Sequence, residues 1–249
     1  PADVLLQQRE RQVGEVVRID GSLVTLKPFD VKCEASIGDR AYRAATLSLA
    51  PCVSWKGRVI DALGNAIDDA GPLSAGARRM PFEAAPPPAM SRGRVRKPIR
   101  TGIRVVDLFT PLCAGQRIGI FAGSGVGKSS LLAMLAKAPD FDTVVIALVG
   151  ERGREVREFL DDTLGDQRRS AITIVSTGDE SPMMRRLAPK TAMTVAEYFR
   201  DLGDSVLLIV DSATRYAHAA RDVALAAGEP AVARGYAPSV FSDLPRLLE

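Results

Sequence analysis

The sequence predicts an α/β fold, a parallel sheet with helices on both faces, preceded by an all-β segment. Three features predict it. After residue 100, short apolar runs alternate with stretches of helical period. A glycine-rich turn stands directly behind one of those runs. Before residue 85 the chain reads as short strands separated by tight turns.

In chain order, strands are expected at 13–17, 22–26 and 55–60, with turns at Asp20-Gly-Ser and Leu63-Gly-Asn. Ala85-Pro-Pro-Pro88 interrupts this pattern, and Arg92, Arg94, Arg96, Lys97 and Arg100 follow it. That run reads as a solvated linker, the alternative being contact with acidic partners or lipid. Strands at 116–121, 143–149, 172–176 and 206–211 then alternate with helical patterns, of which the stripe Ala192, Val195, Ala196, Phe199 is the clearest. Strand–helix alternation implies right-handed crossovers and a parallel sheet. The chain thus divides into a β-segment over 1–84, a linker over 85–100 and an α/β core over 101–249. The chain starts at Pro1 and stops within a helical pattern, so it is expected to be a piece of a longer protein.

The glycine-rich turn comprises Ala122, Gly123, Ser124, Gly125, Val126, Gly127, Lys128, Ser129 and Ser130. Between a strand and a helix, such a turn leaves backbone N–H groups pointing into one space, and the helix N-terminus adds partial positive charge. No side chain at the three glycines obstructs an anion. Lys128 is placed to reach β- and γ-phosphates, and the Ser129 hydroxyl to ligate Mg²⁺. Ala122 stands where a glycine is usual, which is tolerable if its φ stays negative.

Two carboxylates extend the motif from binding to chemistry. The apolar strand 206–211 ends in Asp211, positioned to hold Mg²⁺ through its water shell. The strand 143–149 leads through Gly150 to Glu151 and Arg152. A carboxylate there can orient and polarise an attacking water, and Arg152 can bind γ-phosphate oxygens. The competing reading makes Glu151 and Arg152 the start of a solvated helix with the apolar stripe Val156, Phe159, Leu160, Thr163.

These motifs occur together with Asp179-Glu-Ser-Pro-Met-Met-Arg-Arg186, Asp211-Ser-Ala-Thr-Arg-Tyr216, Gly228-Glu-Pro and Arg234-Gly-Tyr-Ala-Pro-Ser-Val-Phe241. In this order they resemble the ATPases of type III protein export, most of all those of the flagellum, and more distantly the catalytic subunits of rotary ATP synthases. The resemblance implies a RecA-like P-loop NTPase core preceded by part of an N-terminal β-barrel. It implies a Mg²⁺-dependent ATPase with Glu151 as the base or water-orienting group, where non-catalytic relatives carry Gln. Lys128 and Arg152 would contact the β- and γ-phosphates, Ser129 and Asp211 would hold the metal, Arg215 would brace the carboxylates, and Tyr236 would lie near the phosphates. It further implies a homohexamer in the cytoplasm, peripheral at the inner-membrane export apparatus. A stator-like regulator, the export gate and chaperone–substrate complexes would be its partners. An arginine finger and aromatic adenine contacts would lie beyond residue 249. An injectisome ATPase, or a ring subunit that binds nucleotide without turnover, are the alternatives.

Composition excludes other classes. At +3 the net charge is too small to argue for nucleic acid or membrane, and the aromatics Phe29, Tyr42 and Trp55 are scattered rather than interleaved with basic residues as a single-strand-binding surface requires. Cys33, Cys52 and Cys113 lack metal spacing and fit reduced thiols, and a single histidine, His218, gives no support to a Ser–His–Asp triad. No apolar run reaches membrane-spanning length.

Overall fold

The computed structural model describes residues 4–7, 12–33, 35–123 and 125–248, with side chains from residue 12 onward. The strands are β1 (Val4–Gln7), β2 (Val13–Asp20), β3 (Leu23–Pro28), β4 (Ala41–Arg43), β5 (Ser48–Leu49), β6 (Val59–Ile60), β7 (Met80–Pro81), β8 (Pro98–Ile99), β9 (Leu112–Cys113), β10 (Thr143–Val149), β11 (Ala171–Ser176) and β12 (Val206–Asp211). The helices are α1 (Arg104–Phe109), α2 (Lys128–Ala136), α3 (Gly153–Glu158), α4 (Pro182–Asp201), α5 (Ala213–Ala226) and α6 (Pro238–Leu248).

A four-stranded parallel sheet, ordered β12-β10-β11-β6, carries the core. All seven residues of β10 are buried, as befits a central strand covered on both faces. Val145, Ala147 and Val149 meet α4 through Met183, Leu187, Ala192, Val195 and Phe199. Val144, Ile146 and Leu148 meet Leu132 and Ala136 of α2, Val156 of α3 and Phe159, Leu160 and Leu164 of the π-helical turn Phe159–Leu164. The expected α4 stripe is fully realised. Ser181 caps that helix by accepting from the Met184 N–H at 3.1 Å, and Pro182 occupies its first turn, where no donor is lost.

The N-terminal part forms a four-stranded antiparallel sheet, β3-β2-β1-β4, with Gly21 at φ +57° in the β2–β3 turn. It is fastened to the core by Arg186 of α4, whose guanidinium donates to Glu15 at 2.5 Å, and by the Ser181 hydroxyl, which donates to the Phe29 carbonyl at 2.5 Å. Residues 83–98 are exposed throughout, the basic run included.

Two expected strands turn out differently. Within 55–60 only β6 is extended, and it joins the parallel sheet beside β11 rather than the N-terminal sheet (Thr173↔Val59, Ile174↔Ile60). Arg58 and Asp68 lock it there. The carboxylate accepts from Arg58 Nε and Nη2 and from the Val59 backbone N–H, each at 2.8 Å. Trp55 instead ends a 3₁₀ turn and donates from its indole to the Ser74 carbonyl at 2.8 Å. The run 116–121 joins no sheet. Among the described residues the outer edge of β12 has no strand partner, and of this run only Ile120 packs on the core while Phe121 stands in solvent.

Candidate functional site

The carboxyl edge of the parallel sheet gathers the chemistry, as it does in open α/β sheets generally. The β10–β12 register sets Asp211 opposite Leu148, two positions before Gly150, so the ends of these strands bring Asp211 and Glu151 to the same edge.

At the glycine-rich turn, Gly125 (φ +78°) and Gly127 (φ +95°) adopt left-handed backbone, and Gly127 is the N-cap residue from which α2 starts at Lys128. A Cβ built on Gly123, Gly125 or Gly127 would meet nothing within 4 Å, so the loop faces open space. Ala122 is not among the described non-glycine residues of positive φ, which are Asp69 and Arg234; the substitution for glycine therefore costs no strain. Val126 is exposed, and Ser129 and Ser130 lie exposed in the first turn of α2. Ser124 lies outside the described residues. Lys128 forms an ion pair with Asp211, whose side chain is only 7% exposed. A buried carboxylate thus stands against the first turn of the helix that carries the Ser129 hydroxyl. Hydroxyl and carboxylate oxygens are the donor chemistry that suits Mg²⁺, with water completing the shell; among the described residues no three-ligand His/Cys/Asp/Glu cluster is present.

Glu151 is fixed by its neighbours on both sides. The Gly150 N–H donates to the Ser176 carbonyl at 2.6 Å, and the Gly178 N–H donates to the Glu151 carbonyl at 3.0 Å. Arg215, one turn into α5, donates from Nη1 to the Gly150 carbonyl at 2.5 Å and pairs through Nη2 with Glu151 Oε2 at 3.3 Å. Burial, and the hydrogen bond that its protonated form gives to Glu155, push the Glu151 carboxyl above the usual carboxylate range; the Arg215 charge opposes this, while the charges of Asp211 and Glu155 add to it. Glu155 is held lower, by its hydrogen bond to Glu151 and by the Arg152 backbone N–H, with Arg152 and Arg154 assisting.

The structure therefore brings together Lys128, Asp211, Glu151 and Arg215. The other two predicted residues have partners of their own. The Arg152 side chain is 71% exposed and pairs with Glu155 Oε1 at 3.3 Å. Tyr236 is held by α5 and α6: its ring stacks on His218 with centroids 6.1 Å apart, meets Phe241 edge-on at 6.3 Å and lies under Arg221 at 5.7 Å. Sequence reasoning missed Glu155, Gly178 and Glu180, the last of which accepts from the Ser176 hydroxyl at 2.9 Å and steadies the loop behind Glu151. Only Glu155 carried a signal, its place three residues into the helix that Arg152 opens.

Comparisons with known proteins place the chain among relatives. The chain is 56% identical over 237 residues to the flagellum-specific ATP synthase of Agrobacterium fabrum, covering 95% of this chain and 50% of that protein. It is 46% identical over 246 residues to the SPI-2 type 3 secretion system ATPase of Salmonella typhimurium, covering 96% of this chain and 55% of that one. The chain thus spans about half the length of the curated relatives it matches. Among solved structures, EscN of the enteropathogenic E. coli type III secretion system, in complex with its central stalk EscO, superposes with a TM-score of 0.92 at 40% identity, covering all of this chain and 62% of that one. The nucleotide-binding domain of the ATP synthase alpha/beta family matches residues 102–249, more than half of the 249 residues, and the chain belongs to that family.

Proposed function

We propose that the chain binds and hydrolyses ATP as part of a ring ATPase that energises type III export of flagellar proteins. The observation that carries this is the convergence of Lys128, Asp211, Glu151 and Arg215 at one sheet edge, beside an open glycine loop at a helix N-terminus. Lys128 and the loop N–H groups bind the phosphates; Ser129 and Asp211 would hold Mg²⁺, which would supply charge neutralisation at the phosphates. Glu151 orients the attacking water and accepts its proton. Arg215 fixes that carboxylate, and Arg152 moves onto the γ-phosphate. A flagellar system is supported by two flagellum-specific relatives at 56% identity, while others at 40–44% fall below the injectisome ATPase at 46%.

On the same reading the antiparallel sheet is part of an N-terminal barrel, 85–100 is an exposed linker, and six copies form the ring at the cytoplasmic side of the export apparatus. EscN has been solved assembled and with its central stalk; a comparable stalk or stator-like regulator, the export gate and chaperone–substrate complexes are the partners proposed for this chain. Among the described residues no helix is long and apolar enough to cross a membrane, and a peripheral place at the inner membrane is part of the proposal.

The test is steady-state Mg²⁺-ATP hydrolysis over a range of protein concentrations, with Lys128→Ala alongside. Activity per subunit that rises with concentration and is lost in the variant supports a self-assembling ATPase. Undiminished turnover by Lys128→Ala overturns the site.

A further inference from the structure

Arg152 and Glu155 form a closed local pair. Arg152 is the residue from which α3 starts and Glu155 is the third residue of the helix, so the two side chains share one face. Glu155 Oε1 accepts from the Arg152 guanidinium at 3.3 Å while Oε2 accepts from the Arg152 backbone N–H at 3.4 Å. The same carboxylate lies beside that of Glu151, and each perturbs the other. Both ends of Arg152 are therefore tied to the one side chain that also touches the carboxylate assigned to the attacking water. The guanidinium is otherwise 71% in solvent. Nothing buries it, so a modest competing attraction suffices to move it.

We propose that Glu155 is a positioning residue that holds the Arg152 guanidinium away from the phosphate loop until the γ-phosphate of ATP takes it over. This rests on the ATP-site reading above and adds a discriminating step to it. Binding ATP exchanges one anionic partner of Arg152 for another, whereas ADP, lacking the γ-phosphate, leaves the Arg152–Glu155 pair intact. Glu155 thus lowers the affinity for triphosphate selectively and makes Arg152 engagement report the γ-phosphate. The residue that loses Arg152 is in contact with Glu151, so arrival of the triphosphate is felt at the water-orienting carboxylate.

The experiment measures binding of Mg²⁺-ADP and of Mg²⁺ with the β,γ-imido analogue of ATP to the chain, its Glu155→Gln and Arg152→Ala variants and the double variant. Glu155→Gln is expected to tighten the analogue about two- to five-fold, the size of an exposed ion pair, with ADP unchanged. The effect should vanish in the Arg152→Ala background. Glu155→Asp, which keeps the charge, should restore wild-type discrimination, as a purely structural role would not require. Equal shifts for both nucleotides, no shift, or an effect surviving without Arg152 overturns the proposal. Lys128→Ala separates the two levels: loss of both nucleotides upholds the underlying site, and unchanged binding of both removes the site and this inference with it.

Discussion

Arg215 and Glu151 face each other at 3.3 Å across the carboxyl edge of the sheet, and the same guanidinium holds the Gly150 carbonyl at 2.5 Å. One side chain from α5 thereby fixes both the carboxylate of the residue assigned to water activation and the carbonyl just before it. The pair joins the two strands whose ends carry the chemistry, β10 and β12.

This pairing makes pH a probe. Burial favours the neutral form of Glu151, so its base form appears at a higher pH than an ordinary carboxylate allows, and Arg215 pulls in the opposite direction. The acid limb of kcat should therefore lie above the ordinary glutamate value of 4.5. Arg215→Ala should move it further up, because the opposing charge is gone. A pH–rate profile of both proteins checks this, and an unmoved limb in the variant contradicts it.

Gly150 tests the geometry without touching a charge. Its φ is +72°, and a Cβ there would sit 2.8 Å from Arg215 Cδ. Gly150→Ala should cost about 1–2 kcal/mol for left-handed backbone and should displace Arg215 as well. The expected result is a modest fall in melting temperature with a larger, at least tenfold, fall in kcat. Equal activity in a stably folded variant would mean that Arg215 does not need this approach.

Asp68 tests the element that the sequence misplaced. Arg58 holds its carboxylate down to about 2 from 3.8, and its side chain is 2% exposed. A depressed folded value stabilises the fold above the unfolded value, and that stability is lost as pH falls from 3.8 through about 2. Asp68→Asn should therefore cost roughly 2 kcal/mol near neutral pH, with the difference from wild type closing in that acid window. Denaturant melts at pH 7 and near pH 2.5 show it; a cost that is the same at both would rule out the ion pair as the source.

How much was legible follows from what each pattern encodes. The α4 stripe Ala192, Val195, Ala196, Phe199 and the continuous apolar runs of β10 and β11 announce burial through periodicity, and all of them are buried. Asp211 and Glu151 drew notice because they stand at or just past the end of such a run, and Lys128 because it closes a glycine-rich turn. Periodicity does not say which edge a strand takes. Val59 and Ile60 pair with Thr173 and Ile174, a contact more than a hundred residues away that no local pattern contains. The run 116–121 shows the converse: apolar content marked it as a strand, while pairing depends on a neighbouring edge. Tyr236 was singled out by its motif alone; its ring contacts with His218 and Arg221 are long-range packing that no local pattern contains. Glu155 was hidden because its partners, Glu151 and Arg152, already accounted for the motif.

The central claim is that Glu151 activates water in a site where Lys128 and the glycine loop hold ATP. Binding and turnover of Mg²⁺-ATP, measured on the same preparations of the wild-type chain and Glu151→Gln, test it most directly. The account predicts that the variant retains ATP affinity within about threefold while its turnover falls by roughly 10²–10⁴, the range expected of a lost general base. Turnover equal to wild type, with binding intact, would contradict it.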